Sequence, residues 1–226
     1  MLRHRCVSIL LAVALLGVQQ QVPAAGVATQ LEKAEEMARA GNFAPAYCIW
    51  RPLADKGNAE AQFNLGWLYR NGDGMAVDKL QAQQLWEAAA EEDHAEAQMA
   101  LGTLYSMERA TPENRALAVR WFRAAAEQGF EDALLILLDY ADEGDQQALD
   151  AVTSLIQQEK VGTRLAIHVD KGNVRARPST QAAVLITLPR NSWLLKLDDR
   201  GDWIRVWVPP LQKTGWAFHS LFDADP

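Results

Sequence analysis

The stretch "AEAQFNLGWLY" (Ala59–Tyr69) returns 36 residues later as "AEAQMALGTLY" (Ala95–Tyr105). A second pair keeps the same offset: "LWEAAAEEDH" (Leu85–His94) lies on "WFRAAAEQGF" (Trp121–Phe130). Trp50, Trp86 and Phe122 are in phase, as are Ala46, Ala82 and Ala118, and Ala54, Ala90 and Ala126. The phase continues through Ala61, Ala97 and Ala133, then Leu65, Leu101 and Leu137. Self-similarity at a fixed period of about 20–50 residues marks an array of supersecondary units.

Each unit reads as two helices. Ala61, Leu65, Leu68 and Tyr69 recur at three- and four-residue spacing, which is one face of a helix. Gly72 and Gly74 break the chain. A second helix then starts at Asp78, a side chain suited to the N-cap, and runs to Glu92 with Leu85, Trp86, Ala89 and Ala90 on its apolar face. Gly57 and Gly129 end the second helices of their units, where a left-handed C-cap favours glycine. The pattern predicts eight helices, near residues 29–40, 43–55, 59–70, 78–92, 95–106, 113–128, 131–141 and 145–158. The last carries Gln146, Gln147, Asp150, Gln157 and Gln158, the polar face of a terminal cap. One such unit cannot bury its apolar face alone, so stacking into an αα-superhelical solenoid is expected.

At these residues the chain resembles the Sel-1-like repeat family, relatives of the tetratricopeptide repeat. The motif positions are Ala59, Ala61, Gln62, Leu65, Gly66, Tyr69, Gly72, Gly74, Val77 and Asp78, followed by Ala82, Trp86, Ala89 and Ala90. In the second copy "SMERATPEN" replaces the glycine turn, and Pro112 opens its helix at the first helical position. The third copy fades after Leu137. The resemblance covers roughly residues 30–145. It implies an adaptor or scaffold, a role often placed in the bacterial envelope. A branch of the family carries paired cysteines in each unit, and this chain does not.

Past residue 160 the helical pattern stops. Short β runs are predicted at 164–169, 184–188, 193–198, 202–208 and 214–218, separated by "DKGN", "RPST", "PRN", "DDRGD" and "PPLQKTG". Many short strands within some sixty residues point to a small barrel. "NVRARPS" (Asn173–Ser179), "GDWIRVWV" (Gly201–Val208) and "TGWAFHSLF" (Thr214–Phe222) are similar to the bacterial SH3-like domain. Asn173, Val174, Arg175, Pro178, Ser179, Trp203, Val206, Gly215, Trp216 and Leu221 match its pattern. Gly172 stands where that pattern has leucine, and Asn191 replaces a glycine while still tolerating a left-handed turn. The resemblance implies binding of cell-wall peptides or protein segments. The fold class expected is therefore mainly α with a small all-β domain: a repeat solenoid over 26–160, then an SH3-like β-barrel over 161–226.

The N-terminus reads as a signal peptide over 1–25. Arg3, His4 and Arg5 precede an apolar run from Val7 to Val18, too short to span a bilayer, and small residues follow at Ala24, Ala25, Gly26 and Ala28. An exported, periplasmic protein without stable membrane insertion is expected. Cys6 would leave with the leader, so Cys48 is expected to stand alone as a buried thiol. Residues 26–160 hold 11 basic and 23 acidic residues, a net −12, and residues 161–226 hold 9 and 6, a net +3. An acidic helical half argues against nucleic acid as a partner, since phosphate binding needs basic surface.

No catalytic, metal or cofactor constellation emerges. His94, His168 and His219 have no metal-ligand spacing. Cys48 with His94 lacks the further partners of a nucleophile site, and Asp198 with Asp199 reads as a solvated turn. The expected activity is binding. Gln62, Asn64, Gln98 and Tyr105, on the first helices of their units, are candidates to meet a protein partner, although the repeat-locked phase of Tyr69 and Tyr105 favours packing between helices. Trp50 and Trp86 belong to the core. In the C-terminal domain Trp203 and Trp216 either line a peptide groove or fill the barrel. Arg175 and Arg177 are suited to carboxylates of a peptide or of peptidoglycan, or to a solvated loop. Trp193 and Trp207 are further exposed-aromatic candidates. A regulator or assembly subunit of an envelope machine, with protein partners only, and an accessory to a wall hydrolase are the alternatives.

Overall fold

A computed structural model describes residues 24–108, 111–158, 160 and 162–222. The expected signal peptide lies outside them, except for Ala24 and Ala25, which open the first helix. Among the described residues there are eight α-helices, followed by six strands and a short 3-10 turn. The helices are α1 (Ala24–Arg39), α2 (Phe43–Ala54), α3 (Ala59–Asn71), α4 (Lys79–Glu91), α5 (Ala95–Met107), α6 (Pro112–Glu127), α7 (Glu131–Asp142) and α8 (Gln146–Gln157). The fold is thus a helical repeat solenoid followed by an antiparallel sheet. Contacts divide the chain into two compact units, Met1–Ala124 and Ala125–Pro226, so α7 and α8 belong with the sheet.

Local chemistry sets the helix ends. Asn58 Oδ1 accepts from the Ala61 N–H at 2.9 Å, and Asp78 Oδ1 accepts from Gln81 N–H at 3.0 Å. His94 Nδ1 does the same for Ala97 at 3.3 Å, and Asp145 Oδ1 for Ala148 at 3.1 Å. Each satisfies an N–H that the first turn leaves orphaned. The two-glycine turn has φ of +76° at Gly72 and +74° at Gly74. Pro112 opens α6, as expected.

In the first unit the in-phase residues form the interior. Ala46, Trp50, Ala54, Ala61 and Leu65 are buried, and so are their partners 36 residues on, Ala82, Trp86, Ala90, Ala97 and Leu101. The repeat glycines make room for the rings. A Cβ on Gly66 would sit 2.3 Å from Trp86 Nε1, and one on Gly102 would sit 2.6 Å from Phe122 Cδ1. The close approach lets the Trp86 indole donate to the Phe63 carbonyl at 3.1 Å.

One expectation for this unit is corrected. Cys48 is half-buried and disulfide-bonded, not a lone buried thiol. The expectation rested on losing Cys6, which lies outside the described residues.

In the second unit the strands are β1 (Thr163–Ala166), β2 (Lys171–Arg175), β3 (Val184–Pro189), β4 (Trp193–Arg200), β5 (Trp203–Val208) and β6 (Lys213–Phe218). They form one antiparallel sheet in the order β1-β4-β5-β6-β2-β3. Strand β2 stands where the sequence predicts a turn, "DKGN", and the start of "NVRARPS". Gly172 hides it from a propensity reading, yet the strand packs closely there: a Cβ would meet two Ile167 methyls at 3.0 Å. Asp198 and Asp199 are likewise not in a loop: they end β4, beside a bulge between Lys196 and Asp198.

Register assigns the two faces of the sheet. Val174, Leu194, Ile204, Val206, Val208 and Ala217 share one buried cluster. On the other face Arg164 pairs Leu195, Leu195 pairs Trp207, Trp207 pairs Thr214, and Trp216 pairs both Arg205 and Arg175. Leu195, Arg205, Trp207 and Trp216 are buried as well. Helix α7 reaches this second face: Arg205 Nη1 donates to Asp139 Oδ1 at 2.8 Å, and Nη2 donates to Asp142 Oδ2 at 2.6 Å. Thr214 Oγ1 bonds Asp142 too.

Candidate functional site

The glutamines singled out in the repeats do not lie on a surface. Gln62 and Gln98 are both buried. Gln62 Nε2 donates to the Ala54 carbonyl at 3.3 Å, and Gln98 Nε2 donates to the Ala90 carbonyl at 3.1 Å. Both carbonyls belong to the last turn of the preceding helix, where each also accepts a backbone N–H from just past the helix, Gly57 at 2.9 Å for Ala54 and Asp93 at 3.2 Å for Ala90. The repeat glutamine therefore ties each helix pair to the pair before it.

Asn64 is half-buried and turned back on its own helix, donating to the Glu60 carbonyl at 3.0 Å and to Glu60 Oε1 at 2.7 Å. Tyr105 donates to Glu87 Oε1 at 2.8 Å and accepts from Gln83 Nε2 at 3.1 Å. Partial burial, then the bond to Glu87, push its hydroxyl up to about 12. The in-phase group in the preceding unit is Tyr69, with its hydroxyl 3.3 Å from that of Tyr47, and Arg51 Nη1 donates to Tyr47 at 3.4 Å. The tyrosines thus pack between helices, and the charge beside them changes sign from Arg51 to Glu87.

A cluster of rings that sequence reasoning missed lies on α3. Trp67 is 42% exposed. It is held edge-on by Phe63, with ring centroids 6.2 Å apart, and by Trp86 at 5.0 Å. Phe63 stacks on His94 at 4.9 Å. His94 Nε2 meets Glu60 Oε2 at 3.0 Å. Because Nδ1 accepts from the Ala97 N–H, Nε2 carries the proton and donates. That bond, with one from Asn64, holds the Glu60 carboxyl below its usual range against the opposing effect of burial. The repeat phase gave no signal for Trp67, because the residue in step with it is Thr103.

In the second unit Trp203 is half-buried against Phe218, centroids 5.1 Å apart. Trp216 is buried, with the Arg200 and Arg205 guanidinium carbons 5.3 and 5.8 Å from its ring centre. Arg175 is half-buried, and its Nη1 donates to the Ala182 carbonyl at 2.7 Å, closing the β2–β3 loop. Arg177 is exposed in that loop. Trp193 is 46% exposed, but Trp207 is buried, which corrects its reading as an exposed aromatic. Alternation misplaces Trp207 because both faces of β5 are covered. Asp199 is held below its usual range by Lys196 and His219. Among the described residues no group of His, Cys, Asp and Glu could hold a metal ion. No described helix is long and apolar enough to cross a membrane.

Comparison with known proteins addresses the helical part. The chain is similar to a crystal structure of a Sel1 repeat protein from Oxalobacter formigenes, at 26% identity and a TM-score of 0.50, covering 60% of this chain and 61% of that one. It is also similar to a protective antigen present in uropathogenic Escherichia coli strains that displays an SLR fold, at 24% identity and a TM-score of 0.45, covering 59% of this chain and 34% of that one. The chain thus spans about 61% of the length of the first relative and 34% of the second. No curated protein matches it. The Sel1 repeat model matches residues 59–94 and 95–130, the two copies defined by the 36-residue period. The chain accordingly carries two Sel1 repeats, over residues 59–94 and 95–130.

Proposed function

We propose that the chain is an exported, non-catalytic adaptor. Its Sel1 repeats hold a protein partner, and its C-terminal sheet, similar to the bacterial SH3-like domain, binds a peptide or a peptidoglycan stem. The observation that carries the first half is Trp67. A large ring left 42% exposed, and braced by Phe63 and Trp86, has the rigidity of an interface anchor. The repeat does not require a ring there, since Thr103 occupies the in-phase position. The net −12 over residues 26–160 favours a partner with basic surface.

Replacing Trp67 with a photo-crosslinking amino acid in cells tests this half. One stoichiometric protein adduct is expected, and no adduct would remove the adaptor reading. Sedimentation of the full chain with isolated sacculi tests the second half. No sedimentation leaves protein partners only, the role of an envelope-machine subunit. That second reading is favoured by the burial of Trp216 and by the bond that holds Arg175 within its own loop. Zymography of the purified protein is expected to be blank; a clearing band would overturn the non-catalytic assignment.

A further inference from the structure

A cleft of about 520 Å³ opens in the second unit, between α8 and the second face of the sheet. Its volume lies within the range of about 300–1,000 Å³ typical of ligand sites. Leu195 and Trp207, both buried, lie opposite each other in the ladder and make an apolar floor, and Ile156 of α8 adds to it. Trp193 also lines the cleft and keeps 46% of its surface exposed. The Arg164 guanidinium carbon lies 5.0 Å from its ring centre, so the indole is a braced platform. Arg164 is the one charged residue lining the cleft among the described residues, and it is committed to Trp193 and to a further protein contact. The cleft therefore offers no open charge. The Thr153 hydroxyl is spent on the Leu149 carbonyl at 2.8 Å. The uncommitted polar groups are amides: Gln157 from α8 and Gln212 from the β5–β6 turn line the cleft, and neither side chain has a hydrogen-bond partner among the described residues.

An exposed ring, an apolar floor and two amides, with no charge left to pair, fit a ligand that is uncharged, apolar on one face and rich in donors and acceptors along its edge. A saccharide ring is built that way. Its axial C–H bonds make a flat apolar face that packs on an indole, and each equatorial hydroxyl both donates and accepts, as each glutamine amide does. Leu195 and Ile156 call for an aliphatic group as well. An acetamido substituent supplies one: a methyl on a planar amide whose N–H and C=O match a glutamine. We propose that this cleft binds an uncharged N-acetylhexosamine unit of an oligosaccharide, with the sugar ring on Trp193, the acetamido methyl against Leu195 and Ile156, and the amides of Gln157 and Gln212 on its polar edge. A stem peptide fits poorly, because its carboxylates meet no open cation in the cleft. The inference rests on reading the C-terminal module as a ligand binder. It exchanges the peptide for a sugar and moves the contact away from Trp203, Trp216, Arg175 and Arg177.

Titration calorimetry on the full chain tests it with four probes: triacetylchitotriose, cellotriose (the same backbone without acetamido groups), wall glycan strands freed of peptide by an amidase, and a murein stem tetrapeptide. Triacetylchitotriose is expected to bind at least tenfold more tightly than cellotriose. Trp193→Ala is expected to abolish that binding, and Gln157→Leu to bring the two sugars within threefold of each other; both residues are exposed, and circular dichroism checks that each variant folds. No binding of triacetylchitotriose at millimolar concentration, equal affinity for the two sugars, binding unchanged in Trp193→Ala, or a tenfold preference kept in Gln157→Leu would each overturn the proposal. Glycan strands binding alongside triacetylchitotriose would identify the wall as a source of the unit, and triacetylchitotriose binding alone a soluble oligosaccharide; either result supports the cleft. The stem tetrapeptide separates failure of the cleft from failure of the wider reading. Binding of the peptide with no binding of either sugar would discard the cleft and keep the module as a peptide binder.

Discussion

Arg205 offers a sharp test of how the sheet is held to α7. Its side chain is 1% exposed, while those of its partners Asp139 and Asp142 are 58% and 45% exposed. The three charges are therefore not equivalent. Removing the carboxylates leaves a guanidinium buried without a counter-charge, which costs about 3–5 kcal/mol. Its Nε already has no hydrogen-bond partner, and the remaining contact, the Trp216 ring at 5.8 Å, carries no full counter-charge. Removing the guanidinium leaves two carboxylates that water reaches at once, and methionine fills most of the vacated volume. That change costs about 1–2 kcal/mol, the net of two solvent-screened bonds and a modest packing loss. The prediction is an inverted pair: Asp139→Asn/Asp142→Asn destabilises more than Arg205→Met. Adding both aspartate changes to Arg205→Met is expected to cost little more than Arg205→Met alone. Urea denaturation followed by tryptophan fluorescence, with hydrogen exchange of the β5 amides as a local probe, supplies the free energies for a mutant cycle. Arg205→Met costing as much as the aspartate pair, or a coupling under about 0.5 kcal/mol, would refute the reasoning.

Three further outcomes are expected. Gly66→Ala forces a methyl to within 2.3 Å of Trp86 Nε1, so it lowers the thermal midpoint through a loss of about 1–3 kcal/mol; Gly102→Ala acts likewise on Phe122, and both are read by calorimetry. Gln98→Leu removes a buried tie to the Ala90 carbonyl, which keeps the Asp93 N–H at 3.2 Å, and costs about 0.5–1.5 kcal/mol in denaturant unfolding, whereas Asn64→Ala, on a half-buried bond within one helix, costs less. Tyr105 titrates near 12 in the folded chain, against a reference of 10, so its contribution to stability is full below pH 10 and is lost as pH rises towards 12. Absorbance at 295 nm during an alkaline titration, compared with Tyr105→Phe, follows it; a titration at the ordinary value would contradict the geometry.

The helical part was legible because its signals are linear. A 36-residue phase and a three- to four-residue spacing fall on positions that any copy of the unit must bury, and Trp50, Trp86, Leu65 and Leu101 are buried accordingly. Asp78 was readable as a cap, and Gly72 as a turn, for the same local reason. Gln62 and Gln98 show where this stops. Their phase was visible, but a polar residue in phase serves equally as a surface contact or as a buried tie, and only the position of the preceding helix end separates the two. In the sheet, "WIRVWV" has no alternation to read because both faces are covered, and buried Arg205 breaks an otherwise apolar run. That charge inside the run was the available clue to a second packed layer.

From the sequence alone came the repeat period, the helix pairs, their caps and the set of core residues, since each depends on neighbours a few residues or one unit away. Tertiary structure alone decided that Arg205 meets Asp139 across 66 residues of chain, and that Trp207 is covered while Trp193 is open. Those facts depend on which surfaces meet through space. Burial and charge pairing are set by the approach of elements distant in the chain, and that approach leaves no fixed spacing to read.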